Sequence, residues 1–237
     1  MTALSPETLA RLRVVSTATL TTQLFKRGLR NCFMQGVRLL GHLDHNLVGP
    51  AFTLRNIPAR EDLDSLNVLG DRTHPQREAI EITPEGHVLV VDCRGDSFAA
   101  FAGQILVTRL MKRGVAGLVG DGGIRDAGPI GEMPFPVFCS GPSAPLNLVR
   151  HHAAESNIPI GCGGVAVYPG DVIVGDRDGI VVIPRAIADD IARDGAEQEQ
   201  LETFLLGLIE NGAALAGTYP PNEETKAAYE VWRKARR

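Results

Sequence analysis

The sequence predicts an α/β domain with peripheral helices. Two apolar runs, residues 87–93 and 115–120, have the continuous hydrophobicity of strands that are buried on both faces. Between them lies a segment with helical spacing that begins at Gly103 and ends at Gly114. A strand, a helix and a second strand within about 35 residues are typical of a right-handed crossover unit with parallel strands.

Length and composition favour one globular domain. The chain has 237 residues, of which 44% are hydrophobic and 22% are charged. This composition is typical of globular proteins rather than disordered chains, and a single hydrophobic core can serve a chain of up to about 250 residues. We therefore expect residues 1–237 to form a single domain.

The charge balance excludes some classes of partner. The chain carries 24 lysines and arginines against 28 acidic residues, a formal net charge of −4. Because it has no block of basic residues, we expect no nucleic acid bound through phosphate contacts. No apolar run approaches the roughly 20 residues of a membrane span, and residues 1–10 are too polar for a signal peptide. We expect a cytoplasmic protein with no membrane partner.

Helices are predicted at both ends of the chain. Ser5 and the proline after it are typical of a helix start, and Thr17 is the expected cap of a second helix that Gly28 ends. Near the other end, residues 185–212 carry an apolar stripe with helical spacing. A charged last helix follows, so residues 185–237 are expected to form a C-terminal helical extension.

Other segments complete the predicted organisation. Residues 48–54 are expected to be extended, and residues 169–184 contain two β-branched runs around a tight turn, which is typical of a hairpin. Residues 57–76 are polar and are predicted to be an insertion or mobile loop that covers a site. His151 and His152 are expected on an exposed helix, where adjacent positions do not converge on one ion.

Cysteine, histidine and lysine counts narrow the chemistry. The four cysteines are isolated from one another, and the six histidines lack the spacing of a zinc motif. Any metal is therefore expected to be a hard ion bound through oxygen. Only four lysines occur, three of them near the termini, which leaves Lys112 as the candidate for a Schiff base.

The densest group of chemically useful residues is the string GDGGIRD at residues 120–126. Its glycines allow a ligand to approach the backbone, and it follows a buried strand, where α/β sheets place their sites. Arg125 offers a planar fork for a carboxylate, and Asp126 offers an oxygen ligand for Mg²⁺ or Mn²⁺. A structural turn with a surface Arg–Asp pair explains the string equally well. The third glycine of a dinucleotide-binding motif is missing.

A small-residue loop at residues 95–105 is the second candidate feature. It leads into the helix at Gly103, so the free amides of residues 104–106 are expected to point out of the helix N-terminus and to bind an anion. A carboxylate bound there is expected to bridge to Arg125. A loop that is small only for packing is the alternative.

Acidic residues of the predicted C-terminal helix are the third candidate feature: Glu197, Glu199 and Glu202. A solvated helix face is the ordinary explanation of such residues. Ser140 and Ser143 lack the glycine context of a nucleophile elbow, so the sequence gives serine hydrolysis little support.

Three motifs, in order along the chain, resemble one family. They are VGPAFTL at residues 48–54, GQILVTRLMKRGVAGLVGDGGIRDAG at residues 103–128 and PGDVIVGDRDGIVVIP at residues 169–184. The family joins the regulator of ribonuclease activity A (RraA) proteins with the class II 4-hydroxy-4-methyl-2-oxoglutarate / 4-carboxy-4-hydroxy-2-oxoadipate aldolases. The resemblance covers about residues 17–212, which we take as the core of the domain.

The resemblance implies an α/β/α sandwich with a swivelling β/β/α-like core, peripheral N- and C-terminal helices, and assembly as a homotrimer or homohexamer. It implies that Arg125 binds the carboxylate of a pyruvyl group and that Asp126 holds a divalent metal, Mg²⁺ or Mn²⁺. Backbone amides before them are expected to hold the same carboxylate, at Gly103, Gln104, Ile105 and Leu106. A glutamate of a neighbouring subunit completes such a site, and the candidates are Glu199 and Glu202.

The implied activity is metal-dependent cleavage of a 4-hydroxy-2-oxo acid to pyruvate and a second carbonyl product, with oxaloacetate decarboxylation as a side reaction. One position departs from the aldolases, which carry an acidic residue where this chain has Gln104. Glutamine can orient water but is not an anionic base. Asp96, Asp121 or a residue of the polar loop is a candidate substitute.

Two other functions stay open at this point. The resemblance also allows a non-catalytic regulator that docks onto a ribonuclease. A third interpretation keeps the same 2-oxo acid site but changes its outcome to dehydration or tautomerisation of a sugar-derived substrate. The scarcity of lysine favours the metal route over an imine route in either enzyme.

Overall fold

Strands and α-helices alternate between residues 38 and 139, and residues 137–183 form strands without an α-helix between them. The computed structural model describes residues 4–236, so the ends of the predicted domain at residues 1–3 and 237 lie outside the described residues. The helices are α1 (Pro6–Leu12), α2 (Thr17–Lys26), α3 (Pro75–Ile82), α4 (Gln104–Lys112), α5 (Ala127–Gly131), α6 (Ala188–Glu210) and α7 (Glu223–Lys234). Short 3₁₀ helices lie at Leu66–Gly70, Asn147–Val149 and Arg185–Ile187.

The strands form one large sheet and two small ones. They are β1 (Arg38–Leu40), β2 (Leu47–Pro58), β3 (Val88–Asp92), β4 (Ala100–Ala102), β5 (Gly117–Gly120), β6 (Gly123–Ile124), β7 (Val137–Cys139), β8 (Gly141–Pro142), β9 (His151–Ser156), β10 (Ile160–Cys162), β11 (Val165–Val167), β12 (Val172–Gly175) and β13 (Ile180–Ile183). The large sheet has the order β1-β7-β5-β3-β2-β12-β13, and β9 also pairs with β2. The small sheets are β4-β6-β8 and the β10-β11 pair.

The predicted crossover unit is confirmed. β3 and β5 pair in parallel, with Val88 opposite Gly117, and α4 lies between them in the chain. β2 and β7 extend the parallel region on either side. The predicted hairpin is confirmed as well, because β12 and β13 are antiparallel neighbours joined through residues 176–179.

The long strand β2 curls the large sheet. Its start pairs with β12 and its end pairs with β9, while its middle pairs with β3 along the opposite edge. A bulge between Arg55 and Asn56 adds to the local twist. Because β2 has different neighbours at its two ends, the sheet closes partway into a half-barrel.

Both faces of the large sheet are buried. Leu89 and Val91 of β3 belong to a core that includes residues of α3, α4 and α5, whereas Val88 and Val90 belong to a second core with the β10-β11 pair. This alternation follows from the two-residue period of a strand. Burial on both faces explains why the sequence of β3 is apolar throughout.

Terminal helices cover a third core, as expected of peripheral helices. Leu20 of α2 packs with Val174 of β12 and Ile191 of α6. Farther along α6, Phe204 packs against Tyr229 of α7. The α/β architecture with peripheral helices is therefore confirmed. No helix between residues 4 and 236 has both the length and the apolar character needed to cross a membrane.

Two local predictions were wrong. Ser16, rather than Thr17, caps α2, because its side chain accepts a hydrogen bond from the Thr19 amide at 3.1 Å. His151 and His152 lie in β9 rather than on an exposed helix, and His151 is only 1% exposed. Pairing with the end of β2 determines the conformation of this segment, whatever the local preference of its residues.

The polar segment predicted at residues 57–76 is irregular over most of its length. Its first two residues complete β2 and its last two begin α3. Asp64 within it is buried, accepts a hydrogen bond from the Arg60 amide at 2.8 Å and lies 2.9 Å from His152 Nδ1. The middle of the segment is therefore packed onto β9 rather than free.

Candidate active site

The small sheet β4-β6-β8 brings the two candidate motifs together. β4, which forms part of the predicted small-residue loop, pairs in parallel with β6 and places Ala102 opposite Ile124. The Arg125 amide continues this pairing by donating a hydrogen bond to the Ala102 carbonyl at 3.1 Å. The residues that follow the two strands, Gly103 and Arg125, are therefore neighbours in space.

Gly103 permits close contact between the motifs. It is the N-cap of α4, and a Cβ atom placed on it lies 2.8 Å from Arg125 Cγ and 2.9 Å from Asp126 Oδ2. Non-bonded carbon atoms pack at about 3.5–4.0 Å, so any larger residue displaces both of these side chains. We call Gly103, Arg125 and Asp126 the junction.

Asp126 has an uncommon backbone conformation. Its φ of 56° and ψ of 37° lie in the left-handed region, where few non-glycine residues occur. Its Oδ2 atom accepts a hydrogen bond from the Gln104 amide at 3.1 Å and lies 3.9 Å from Arg125 Nε. Residues in such conformations cluster at functional sites, because the surrounding structure has to maintain them.

A cleft of about 340 Å³ opens beside the junction. Small-molecule sites start at about 300 Å³, so this cleft suits a small organic acid. The side chains of Arg125 and Asp126 are 40% and 43% exposed, which leaves both accessible to a ligand. The lining consists of Leu69, Gln76, Arg77, Ala100, Phe101, Ala102, Gly103, Ile105, Leu106, Arg125, Asp126, Leu146 and Asn147.

Most residues predicted to bind substrate or metal meet in this cleft, but Gln104 does not line it. The Gln104 amide donates to Asp126, so the expectation of a free amide there was wrong. The left-handed conformation of Asp126 accompanies this contact, which the sequence spacing does not reveal. The amides of Ile105 and Leu106, in the first turn of α4, have no partner within the helix and stay available.

The predicted glutamates lie elsewhere in the chain. Glu199 Oε1 accepts hydrogen bonds from the Ser16 amide at 3.0 Å and from the Ser16 hydroxyl at 2.7 Å. Glu202 accepts a hydrogen bond from Gln198 Nε2 at 2.7 Å. Neither glutamate lines the cleft of its own chain. A role for either one at the site needs a second copy of the chain and stays a prediction.

Two other carboxylates were candidates to replace the missing acid, and neither lines the cleft. Asp121 is 5% exposed and accepts hydrogen bonds from three backbone amides at 2.6–3.1 Å. Asp96 pairs with Arg150 at 2.8 Å. Both carboxylates are committed to local structure, so neither substitutes for an acid at Gln104.

Sequence reasoning missed the part of the cleft formed by α3. Gln76 Nε2 donates a hydrogen bond to the Phe101 carbonyl at 2.7 Å, and Asn147 Nδ2 lies 3.5 Å from Gln76 Oε1. Arg77, the next residue, also lines the cleft. We call Gln76 and Arg77 the α3 wall. No motif marks them, and the available signal was the polarity of residues 57–76, which were predicted to cover a site.

A buried histidine precedes the α3 wall. His74 is 8% exposed, and neither of its ring nitrogens has a hydrogen-bond partner. Burial lowers the pKa of its imidazole, and the positive charge of Arg77 lowers this pKa further. The ring is therefore neutral at pH 7, in a part of the molecule where Arg77 supplies a positive field.

The cleft suits a hard divalent ion held by Asp126. Magnesium usually binds one or two protein carboxylates and completes its octahedron with water and substrate oxygens. Asp126 is the one carboxylate in the described lining of the cleft, and it is accessible. Within residues 4–236, no group of three His, Cys, Asp or Glu side chains is placed to enclose a metal. This donor set fits an open Mg²⁺ or Mn²⁺ site rather than a closed zinc site.

Comparison with known proteins agrees with the resemblance. The model of the RraA-like family, Aldolase/RraA, matches residues 17–182. A Halalkalibacterium halodurans protein named "Putative 4-hydroxy-4-methyl-2-oxoglutarate aldolase" is 35% identical over 153 residues, which cover 65% of this chain and 67% of that protein. The solved structure of Streptomyces coelicolor RraAS2, described as an unusual member of the RNase ES inhibitor RraA protein family, is 33% identical with a TM-score of 0.75. It covers 86% of this chain and 98% of its own.

A further solved structure supports the fold alone. An uncharacterized protein from Pseudomonas syringae pv. tomato has a TM-score of 0.80, covers 93% of this chain and 96% of its own, and is 23% identical. The family match spans more than half of the chain and includes the whole junction. On this evidence of sequence and fold, the chain belongs to the RraA-like family, Aldolase/RraA.

Proposed function

We propose that this protein is a lyase that cleaves the C3–C4 bond of a 4-hydroxy-2-oxo acid and releases pyruvate and a second carbonyl product. The observation that carries the proposal is the junction, which places an accessible guanidinium, an accessible carboxylate and a helix N-terminus at one cleft. Relatives named as aldolases support the same class of reaction.

The junction suits the pyruvyl half of such a substrate. In the proposed complex, the Arg125 guanidinium binds the C1 carboxylate through two parallel hydrogen bonds. The free amides of Ile105 and Leu106 donate to the same carboxylate, and the positive end of the α4 dipole favours its charge. Asp126 stays beside Arg125 without a tight ion pair, since Oδ2 and Nε are 3.9 Å apart.

Asp126 is the proposed ligand of a divalent ion, Mg²⁺ or Mn²⁺. Such an ion, when bound, supplies Lewis-acid stabilisation of negative charge that develops at the C2 oxygen. The Gln104 amide orients the Asp126 carboxylate by donating to Oδ2, which leaves Oδ1 free. The ligand is therefore held in one orientation by the backbone of α4.

The proposed cleavage balances as a retro-aldol step. The C4 hydroxyl loses its proton, C4 becomes a carbonyl carbon, and the C3–C4 bonding pair moves onto the C3–C2–O enolate. Protonation of this enolate at C3 gives pyruvate. Residue 104 is glutamine and not an acid, so the cleft of one chain has no carboxylate there to accept the hydroxyl proton. We propose that the chain forms a homotrimer or homohexamer in which Glu202 of a second copy assists this proton transfer. Glu199 is less suited, because its Oε1 atom accepts two hydrogen bonds from Ser16, whereas Glu202 accepts one hydrogen bond, from Gln198.

Oxaloacetate decarboxylation requires fewer catalytic groups at the same site than aldol cleavage does. Loss of carbon dioxide from C4 produces the pyruvate enolate without removal of a hydroxyl proton. No base is needed in that step, so the replacement of an acid by Gln104 leaves it intact. We therefore expect this protein to decarboxylate oxaloacetate at least as well as it cleaves aldols.

A pyruvate-release assay tests the proposal. Purified protein is supplied with 4-hydroxy-4-methyl-2-oxoglutarate or oxaloacetate, with Mg²⁺ or with EDTA, and pyruvate is measured with lactate dehydrogenase and NADH. Pyruvate formation that requires the divalent ion supports the lyase. If the protein forms pyruvate from neither of the two acids, the proposed lyase activity is contradicted. Full activity of both Arg125→Ala and Asp126→Ala contradicts it as well.

A ribonuclease regulator is the second candidate function. Two points favour it: the resemblance to the aldolases implies an acid where this chain has Gln104, and the similarity to RraAS2 covers 98% of that chain. Inhibition of an RNase E-type ribonuclease without any turnover of 2-oxo acids supports this function. Asp126→Ala is then expected to leave inhibition intact, whereas a lyase loses its activity.

A further inference from the structure

Arg77 gives the cleft a second cationic group, distant in sequence from the junction. It follows Gln76 in the first turn of α3 and lines the cleft with Arg125. Its Nε atom is buried and has no hydrogen-bond partner. Among the described residues, no carboxylate forms an ion pair with Arg77, whereas Arg109 pairs with Glu81 at 2.7 Å. Arg77 is thus a guanidinium that faces a cleft without an anion.

The position of Arg77 relative to the junction is set by its neighbour. Gln76 is buried, and its Nε2 donates to the Phe101 carbonyl in β4, two residues before Gly103. The buried Asn147 side chain contacts the same glutamine at 3.5 Å. These contacts hold the start of α3 against β4, the strand that leads into the junction. The side of the cleft formed by the α3 wall is therefore fixed by buried polar contacts.

Charge in the cleft favours a dianion. Its described lining contains two guanidinium groups, from Arg77 and Arg125, against the single carboxylate of Asp126. The excess of positive charge increases when Asp126 is occupied by a divalent ion. The lowered pKa of buried His74, caused by burial and then by Arg77, keeps that imidazole neutral, so it does not compete with Arg77 for an anion.

Apolar side chains make up much of the remaining lining. Leu69, Leu106 and Leu146 belong to it, and all three offer hydrocarbon contact to the carbon chain of a ligand. A ligand with anionic ends and a short carbon chain between them matches this distribution. A three-carbon 2-oxo acid bound at the junction leaves the guanidinium of Arg77 without a partner.

We propose that Arg77 binds the second carboxylate of a dicarboxylic 2-oxo acid and selects such acids over monocarboxylic ones. This inference rests on the proposed function for the orientation of the substrate, with its C1 carboxylate at Arg125. Arg77 is a specificity-determining residue in this account, and Arg125 and Asp126 carry the chemistry. A planar guanidinium suits the role because it binds a carboxylate in two-point fashion.

A binding experiment tests Arg77 without requiring turnover. Calorimetric titration in Mg²⁺ buffer compares 2-oxoglutarate with 2-oxopentanoate, which has the same chain length and lacks the distal carboxylate. Wild-type protein is expected to bind 2-oxoglutarate about tenfold more tightly or better, the range of a charge-assisted hydrogen bond. Arg77→Gln is expected to abolish this preference by weakening 2-oxoglutarate alone, and Arg77→Lys to retain part of it.

Arg72→Gln is the matched control, because Arg72 lies in the same region of the chain, is exposed and does not line the cleft. This variant is expected to keep the wild-type preference. Equal affinity of the wild-type protein for the two acids overturns the proposal, as does a preference that survives in Arg77→Gln. Melting temperatures of all variants verify that each one is folded.

Kinetics separate this inference from the proposed function. If pyruvate is released but kcat/KM is the same for 4-hydroxy-4-methyl-2-oxoglutarate and 4-hydroxy-2-oxopentanoate, and Arg77→Gln changes neither, the role of Arg77 is wrong and the lyase stands. If 2-oxoglutarate binds through Arg77 but no 2-oxo acid releases pyruvate, the lyase is wrong and the dicarboxylate site stands.

Discussion

The two sides of the cleft are built in different ways. The junction consists of residues that follow paired strands, and the side chains of Arg125 and Asp126 lie so close to Gly103 that it has no room for a side chain of its own. The α3 wall reaches the cleft from a helix, through side chains held by one amide contact to β4. The comparison indicates that sheet geometry fixes the part suited to chemistry, while side chains of a helix supply the part suited to substrate selection.

The largest predicted effect is at the junction. Arg125→Ala removes the proposed carboxylate clamp, and we expect pyruvate release to fall about 100-fold in kcat/KM, the range of hydrogen bonds to charged groups. Arg109→Ala is the control, because Arg109 is exposed and pairs with Glu81 on the surface. A loss of less than threefold in Arg125→Ala breaks the assignment of chemistry to the junction.

A smaller loss of kcat/KM is predicted when a methyl group is added at Gly103 than when the Arg125 side chain is removed. Gly103→Ala places a methyl group within 3 Å of Arg125 Cγ and Asp126 Oδ2, which forces both side chains to shift. We expect kcat/KM for pyruvate release to fall about tenfold, since a displacement of about 1 Å at catalytic groups can cost as much as 100-fold.

Gly128→Ala is the matched control for this substitution, because a Cβ atom at Gly128 in α5 meets nothing within 4 Å. It is expected to leave kcat/KM unchanged. Wild-type activity in Gly103→Ala shows that close packing at the junction has no functional role.

The sequence predicted the junction and missed the α3 wall for a physical reason. Arg125 and Asp126 follow a buried strand in a glycine-rich string, so local pattern and the rule for α/β sheets place them at a site. Arg77 reaches the cleft because Gln76 bonds to the Phe101 carbonyl, a contact between distant segments that no spacing encodes. His151 shows the same limit, because pairing of β9 with β2 buries a residue that was expected on an exposed helix.

A gain of activity is predicted at Gln104. Gln104→Asp introduces an acid where the resemblance to the aldolases implies one. Because Gln104 lies next to the cleft rather than in its lining, aldol cleavage is expected to rise only about fivefold, below the 10²–10⁴-fold of a well-placed general base. Oxaloacetate decarboxylation is expected to change less, because it needs no hydroxyl deprotonation. The measurement is the ratio of the two kcat/KM values, and an unchanged ratio contradicts the role given to this position.

The smallest predicted effect concerns stability near the α3 wall. The pKa of buried His74 is lowered in the folded protein, chiefly by burial, while an unfolded histidine titrates near 6.5. The unfolded state therefore binds more protons as the pH falls below about 6.5, and acid destabilises the fold. The melting temperature is expected to fall between pH 7.5 and pH 5.5 in both the wild-type protein and His74→Gln. The fall is expected to be smaller in His74→Gln than in the wild-type protein, by on the order of 2 °C.

His45→Gln is the control for that comparison, because His45 is exposed. Its melting temperature is expected to follow the wild-type protein at both pH values. If His74→Gln has the same acid sensitivity as the wild-type protein, His74 is not a source of that sensitivity.

Exchange of the pyruvate methyl protons tests the division of the cleft most directly. In D₂O with Mg²⁺, proton NMR follows formation of the pyruvate enolate, which involves the junction and not the distal part of a substrate. We predict exchange by the wild-type protein, an equal rate in Arg77→Gln and loss of exchange in Arg125→Ala. Exchange that persists in Arg125→Ala contradicts the assignment of the chemistry to the junction. Loss of exchange in Arg77→Gln as complete as the loss in Arg125→Ala contradicts it as well.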